Sequence, residues 1–371
     1  MSADGFLAAL AGFEAMTVKR LRILLAHHEP AEAFAVAAGR ARPSAMVAQL
    51  LDAETRSAWR ASAERRDPAA WDDRCRRLGV SVVARDDERF PPQLRDDSEP
   101  PSVLFVRGDL GALDARRVGI VGTRNATRSG RETATALGHD LADAGVCVLS
   151  GLARGVDGAA HRGALRVEGS RPAAVVANGP DWPYPRQHDE LWREVCERGV
   201  LISEWPPGTR PDAFRFPLRN RILAALSEVV VVVESRETGG SLITARAAID
   251  RSITVMAVPG SVRNRAASGT NQLLCDGAAP VTSVDDVLVA LGLDNRRAGR
   301  AAFDPRPLPR GVEADVLERC RRDACTLDEV VVDLGLPLGE AAMAVARLER
   351  SGWVRESAGW FEAVGAWDEL P

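Results

Sequence analysis

The chain has 371 residues, is 46% hydrophobic and carries a formal net charge of −4. That length accommodates two or three domains of a soluble globular protein, and the charge excludes a uniformly basic nucleic-acid binder but not a local basic patch. No apolar run approaches the roughly 20 residues of a membrane span, and no basic–apolar–cleavage signal opens the sequence, so a cytoplasmic chain without membrane contact is expected.

Residues 1–78 alternate Ala/Leu-rich helical stretches with short breaks: Phe6–Phe13, Thr17–His27, Ala31–Gly39 and Ser44–Ala61. Leu21, Leu24 and Leu25 recur at helical spacing, which predicts a small helical bundle. His27 and His28 precede Pro30 at a helix end, where capping is expected rather than chemistry. From Val80 the pattern becomes extended, as SVVA and then SVLFV, separated by PPQLRDDSEPP. These segments are expected to feed strands onto a main sheet.

From Val118 to about Leu291 strand and helix units alternate. The predicted strands are Val118–Val121, Val146–Leu149, Ala173–Ala177, Val200–Ser203, Val229–Val233 and Ile253–Val258. Helices are predicted over 131–144, 157–166, 187–198, 218–226, 241–250 and 285–291. Five consecutive valines at 229–233 fit only a strand buried on both faces. The alternation predicts an α/β fold with a doubly wound, mostly parallel sheet, in which ligands bind beyond the carboxyl ends of the strands.

The loops at those ends carry the chemistry. The first strand runs into RRVGIVGTRNATRSGR, with five arginines and no carboxylate between Arg116 and Arg131. Gly122, Thr123 and Arg124 open a helix whose N-terminus offers free amides and a positive dipole end to an anion. The spacing is not the G-x-G-x-x-G of dinucleotide folds, and the turn reads either as a phosphate loop or as a plain structural turn. After the second strand come Ser150, Gly151, Arg154 and Gly155. Asp157 is placed to cap the next helix, and His161 to pack beneath the loop.

Beyond the third strand, Trp182 and Tyr184 offer stacking faces on a loop stiffened by Pro183 and Pro185. Beyond the fourth, Arg215, Arg219 and Arg221 interleave with Phe214 and Phe216. Guanidinium groups beside aromatic rings suit single-stranded nucleic acid, whose phosphates need charge and whose unstacked bases need a flat partner. The competing reading makes both phenylalanines core and the arginines a solvated helix start. Gly239, Gly240 and Ser241 open another anion-receptive helix. Successive glycine and proline turns at one end of one sheet describe a groove, which favours a polymeric ligand over a mononucleotide.

Six scattered cysteines form no C-x-x-C pair and read as reduced thiols, so neither a metal site nor a disulfide framework is expected. No cofactor is implied. No Ser/His/Asp set is evident, and catalysis would want a base within reach of a nucleophile, so the chain is expected not to be an enzyme. Residues 293–311, rich in Arg, Pro and small residues, read as a linker. Residues 312–371 then read as three helices (Glu313–Arg321, Thr326–Leu334, Leu338–Ser351) and a hairpin, the winged-helix order. The third helix has few exposed basic groups and two glutamates, which favours protein contact over entry into a duplex groove.

The ordered motifs GIVGTR, SGLARGVDGAAH, DWPYP, SEWPPG, FPLRNRI, GGSLITA, AVPGS and NQLL strongly resemble the DprA (Smf) family of bacterial DNA-processing proteins. The resemblance covers roughly Phe90 to Val289. It implies a helical domain (1–78) of the SAM or helix-hairpin-helix kind, an extended Rossmann-like DNA-binding domain (79–292), a linker and a C-terminal winged helix. It further implies binding of single-stranded DNA, loading of the RecA recombinase in natural transformation, and a homodimer formed through the Rossmann-like domain. By position, Arg124 matches the family arginine that touches a DNA phosphate, and Phe216, Arg219 and Asn220 match its FPxRN segment. Thr123 and Gly239 stand where serine is usual, and His188 where asparagine is common; Gly239 withdraws any hydroxyl contact there. The alternative is a nucleotide-binding or nucleoside-monophosphate phosphoribohydrolase-like enzyme of the related Rossmann group. The corresponding segment, ETGGSLITA, lacks that group's following glutamate.

Overall fold

The computed structural model describes residues 2–293, 306–357 and 359–364. The residues up to 293 form one compact unit and those from 306 a second. Most of the expected 293–311 linker therefore lies outside the described residues.

The first unit opens with helices α1 (Ala3–Ala11), α2 (Val18–His27), α3 (Pro30–Ala37), α4 (Ala45–Ala48), α5 (Ala53–Arg65) and α6 (Pro68–Arg77). The stretch expected as one helix from Ser44 to Ala61 is broken after Ala48, because Asp52 accepts from the Thr55 amide and starts a new helix. Helix α6 was missed by periodicity, although Asp67 as N-cap and Pro68 at the first helical position announce it. His28 does end α2, and its Nε2 accepts from the Ser44 amide at 3.2 Å. The core of this bundle, with Leu7, Leu24, Phe34 and Trp59, continues into Val82, Val103 and Phe105 of the sheet edge. Residues 1–78 are thus packed on the sheet through a shared core rather than standing as a separate compact unit.

The chain continues as β1 (Ser81–Ala84), α7 (Pro92–Arg95), β2 (Val103–Gly108), β3 (Arg117–Val121), α8 (Arg128–Asp143), β4 (Cys147–Ser150), α9 (Val156–Ala164), β5 (Ala173–Val176), α10 (Asp189–Arg198) and β6 (Val200–Ser203). It returns through α11 (Arg215–Leu226), β7 (Val229–Val232), α12 (Gly240–Ile249), β8 (Thr254–Ala257), α13 (Ser268–Cys275), β9 (Ala279–Pro280) and α14 (Val284–Ala290). Each predicted strand lies within about a residue of its observed place; α13, hidden in a loop-like SGTNQLL stretch, was not foreseen.

The sheet order is β1-β2-β6-β5-β4-β3-β7-β8-β9. From β6 to β9 every pairing is parallel, while β1 and β2 are antiparallel additions at the edge. The valine strand β7 pairs β3 in register, Val118 with Val229 through Val121 with Val232, and β8 on its other side. All four of its residues are buried, as helices cover both faces. The chain therefore steps from β3 out to β6 and then returns to place β7 beside β3. That reversal leaves the β3 and β7 loops diverging around a crevice, the place where doubly wound sheets bind ligands.

In the second unit, α15 (Val312–Arg322), β10 (Cys325–Thr326), α16 (Leu327–Leu334), α17 (Leu338–Ser351), β11 (Val354–Ser357) and β12 (Trp360–Ala363) follow the element order expected of a winged helix, with the small sheet ordered β10-β12-β11. A reciprocal Thr326–Glu329 capping box starts α16, and Leu317, Val330, Val345, Leu348 and Trp353 fill the core.

Candidate functional site at the switch point

The crevice between the β3 and β7 loops is a cleft of about 590 Å³. Gly122, Thr123 and Arg124 line it from β3, Asp157 from α9, Tyr184 from the loop after β5, and Phe216, Arg219 and Asn220 from α11. Gly239, Gly240 and Ser241 close it from α12. Residues from five separate chain segments thus converge on one concavity.

The first loop is not the open phosphate turn that its glycines and arginines suggest. Glu234, at the end of the valine strand, reaches across to it. One of its carboxylate oxygens accepts from the Thr127 amide and the other from the Thr127 hydroxyl, both at 2.8 Å. Thr127 in turn caps α8 by accepting from the Gly130 amide at 3.0 Å. The positive end of α8 is therefore already matched by a buried carboxylate of the protein itself. The Glu234 carbonyl also accepts from the Thr123 amide at 2.7 Å, which fixes the loop and leaves the Arg124 side chain exposed. Gly155 takes φ +77° directly against this loop, where a Cβ would collide with the Thr123 carbonyl.

At the end of β4 the predicted residues divide. Ser150 is fully buried, and its hydroxyl donates to the Ile120 carbonyl at 2.6 Å, so it ties β4 to β3 rather than facing the cleft. Gly151 is needed for a close approach: a Cβ there would run into the Arg219 guanidinium. Arg154 is exposed on the loop but does not line the cleft. Asp157 is not the N-cap. Gly155 holds that position, and Asp157 lies within the first turn, buried, with Oδ2 accepting from the Gly151 amide at 3.1 Å. Burial raises its pKa, opposed first by the charge of Arg219.

His161 packs beneath the loop, as expected, and is completely buried. Burial pushes its pKa from the ordinary 6.5 down to about 3. The imidazole is neutral in the fold, while the unfolded chain takes up a proton below pH 6.5. The unfolded state binds more protons in that range, so acid destabilises the fold. Stability is expected to fall by up to ~1.4 kcal/mol per pH unit from this group between pH 6.5 and 3. Urea melts across that range should show a shallower acid loss in His161→Gln than in the parent chain; equal slopes would remove His161 from the account.

Helix α11 sorts its arginines by direction. Phe214 is 56% exposed and Phe216 half-buried on the cleft rim, so neither is core. The Arg124 guanidinium lies 4.3 Å from the centre of the Phe216 ring, and the Tyr184 ring is 5.9 Å away on a tilt of 48°. Arg219 is only 4% exposed and donates through Nη1 to the Val175 carbonyl and through Nε to Asn220 Oδ1 at 3.2 Å. Its pKa is lowered to about 10 by burial, with Asp157 acting the other way. It forms a charged floor under the cleft rather than an arm reaching out of it. Arg221 leaves the site altogether and clasps Glu204, whose two oxygens each lie 2.6 Å from its Nη2.

Helix α12 opens toward the cleft with Gly239 as N-cap and no side-chain cap. Ser241 is buried, its hydroxyl donating to the Ser235 hydroxyl at 2.9 Å. The amide end of α12, the exposed Arg124 and Arg236, and the Arg219 floor all bias this cleft toward an anion, while Tyr184 and Phe216 supply flat apolar surface. Arg236 and Glu234 were missed in the sequence. A charged residue just past a strand's carboxyl end is the signal that could have marked both. Among the described residues no group of three or more His, Cys, Asp or Glu side chains is placed to hold a metal ion.

The family described as DNA recombination-mediator protein A matches residues 81–292. The chain is 38% identical over 217 residues to the DNA processing protein DprA of Bacillus subtilis, spanning 58% of this chain and 73% of that one. The solved structure of DprA from Streptococcus pneumoniae superposes with a TM-score of 0.66 at 27% identity, covering 78% of this chain and 98% of the other. DNA processing protein A from Helicobacter pylori, solved for its single-stranded DNA binding mode, gives a TM-score of 0.52 at 28% identity, covering 57% and 95%.

Proposed function

The chain belongs to the DNA recombination-mediator protein A (DprA/Smf) family, and on that premise we propose that it binds single-stranded DNA in the switch-point cleft. One observation carries the reading: Arg124 sits over the Phe216 ring at 4.3 Å, with Tyr184 beside it, at the mouth of a cleft floored by Arg219 and the α12 amides. A nucleotide in a single strand presents a flat base and an anionic phosphate, and this pairing answers both. The Helicobacter relative studied for its single-stranded DNA binding mode supports the same assignment. Gly122, Thr123, Gly239, Gly240 and Ser241 serve by shaping backbone around the strand, Asn220 by bridging α11 and α12, and Ser150 and Gly151 by fixing the floor. Arg154 is the outer contact.

The family's description as a recombination mediator supports a role in handing the strand to a recombinase, RecA, during recombination or DNA uptake. We read the protein as a cytoplasmic homodimer that acts without catalysis. In support of the last point, the Ser150 and Ser241 hydroxyls are spent on structural hydrogen bonds, and His188 Nδ1 is engaged by the Leu152 carbonyl at 2.9 Å.

The test is a salt titration of oligothymidylate binding by fluorescence anisotropy. Binding is expected to weaken linearly in log salt, by about 0.7 per phosphate neutralised. Arg124→Ala should bind more weakly at low salt and flatten the slope by about one phosphate's worth, with unchanged circular dichroism. Salt-independent binding, or a collapsed Arg124→Ala fold, would overturn the assignment. Release of a base from nucleoside monophosphates would replace the binding reading with the enzymatic one.

A further inference from the structure

A second and larger cleft, about 1140 Å³, lies between the N-terminal helices and the sheet edge within the same compact unit. Its walls come from the α1–α2 turn, from α6 and from the loops after β5 and β6. We propose that this cleft is a second binding segment for single-stranded DNA, continuous with the switch-point cleft. The proposal rests on the function proposed above and extends it to a residue set in the N-terminal helices.

The first ground is continuity. A shallow depression over the Trp182–Arg186 loop joins the two clefts: it shares Tyr184 and Pro211 with the first, and Trp182 and Arg210 with the second. A strand leaving Phe216 would cross this loop and enter the second cleft without leaving the protein surface.

The second ground is chemistry. The guanidiniums of Arg66 and Arg74 lie 4.5 and 5.0 Å from the Trp71 ring centre, Arg210 lies 5.3 Å from Trp182, and Arg215 lies 4.8 Å from Phe214. The pairing of ring and cation seen at Phe216 and Arg124 is thus repeated at three rings lining this cleft. Such repetition matches a polymer with a base and a phosphate in every unit.

The third ground is charge. Seven cationic side chains line the cleft against three carboxylates. Two of the seven are already paired, Arg221 with Glu204 of the cleft at 2.6 Å and Arg74 with Asp181 at 3.5 Å, and Glu14 is paired with Arg65 at 3.5 Å, which leaves five cations against Glu99. Arg66 is the converse case. Its Nη1 is buried in the cleft wall and has no hydrogen-bond partner. Burying a guanidinium nitrogen without an acceptor is costly, and a phosphate oxygen would supply one.

The test compares oligothymidylates of roughly 5 and roughly 20 nucleotides, chosen around the ~4–16 nucleotides that a single groove occupies. Variants are Arg66→Ala with Arg210→Ala, and Arg210→Ala alone, whose side chain is exposed and should not disturb folding. The expected result is that the parent binds the longer strand with a steeper salt slope. The double variant should lose about tenfold or more in affinity for the long strand only. Its salt slope should drop by about 1.4, two phosphates at 0.7 each. Arg210→Ala alone should give about half that drop, and melting should confirm that the variants fold. If folded variants bind both lengths as the parent does, or lose both equally, the second segment is overturned. If the parent binds neither length, the function proposed above fails and takes this extension with it. If an acidic peptide competes for the cleft while long DNA does not, the cleft belongs to a protein partner and the proposal is wrong.

Discussion

Phe216→Ala is expected to cost roughly 1–3 kcal/mol of affinity for single-stranded DNA, the worth of one stacked base, while leaving the melting temperature nearly unchanged. The expectation comes from where the ring lies. Phe216 stands in the first turn of α11, half-buried at the cleft mouth between Tyr184 and Arg124 and outside the buried core clusters. A core phenylalanine truncated to alanine would cost about 3–5 kcal/mol of stability; a rim residue has no such cavity to leave. The salt slope should be unchanged, because a ring neutralises no phosphate, and this separates the variant from Arg124→Ala. Thermal melting and anisotropy on the same preparations decide the matter. A sharp fall in melting temperature, with normal binding by the folded fraction, would return Phe216 to the core and dissolve the stacking role.

Arg221→Ala should do the reverse: destabilise the fold by roughly 3–5 kcal/mol, the usual cost of stripping one partner from a buried ion pair. Arg221 and Glu204 have side chains 9% and 4% exposed, and Arg221 Nη1 also donates to the Glu99 carbonyl at 2.7 Å. Without Arg221, Glu204 would be left as an uncompensated carboxylate in a site where burial already raises its pKa, with Arg221 as the chief opposing charge. Urea denaturation should show an earlier midpoint with an unchanged slope. Arg221→Met combined with Glu204→Leu should recover much of the loss, because an apolar pair carries no desolvation penalty. A loss below about 1 kcal/mol for the single variant would mean that water reaches the pair and that it behaves as a surface bridge.

Together these two variants show why three arginines that look equivalent in FRFPLRNRI are not. Arg215 and Arg219 are four apart on α11, and Arg221 is two further on, about 200° around the helix from Arg219. Periodicity places Arg215 and Arg219 on one face and Arg221 on another, but cannot say which face meets solvent, because α11 is buried nearly all round from Arg219 onward. Only the packed sheet aims Arg219 at the end of β5 and Arg221 at Glu204. Arg219 therefore cannot be read as a solvent-reaching phosphate clamp, although the FPxRN segment does lie where the sequence puts it, on the cleft.

What the sequence by itself determined was everything set by local pattern. The alternation of β-branched runs with helical stretches placed the strands of the parallel sheet, and the five valines at 229–233 identified a strand covered on both faces. The glycine and proline turns marked the loops that converge, and the ordered motifs marked the family. What only the tertiary structure decided was which charges are spent inside. Thr127 and Glu234 are 107 residues apart in the chain, yet their hydrogen bonds fill the α8 N-terminus that looked like an anion site. Arg221 meets Glu204 across a separation of 17 residues, and Arg219 meets Val175 across 44. A buried charge takes its partner from wherever the fold brings one, since leaving it alone costs more than any local preference; sequence spacing records the local preference and not the partner.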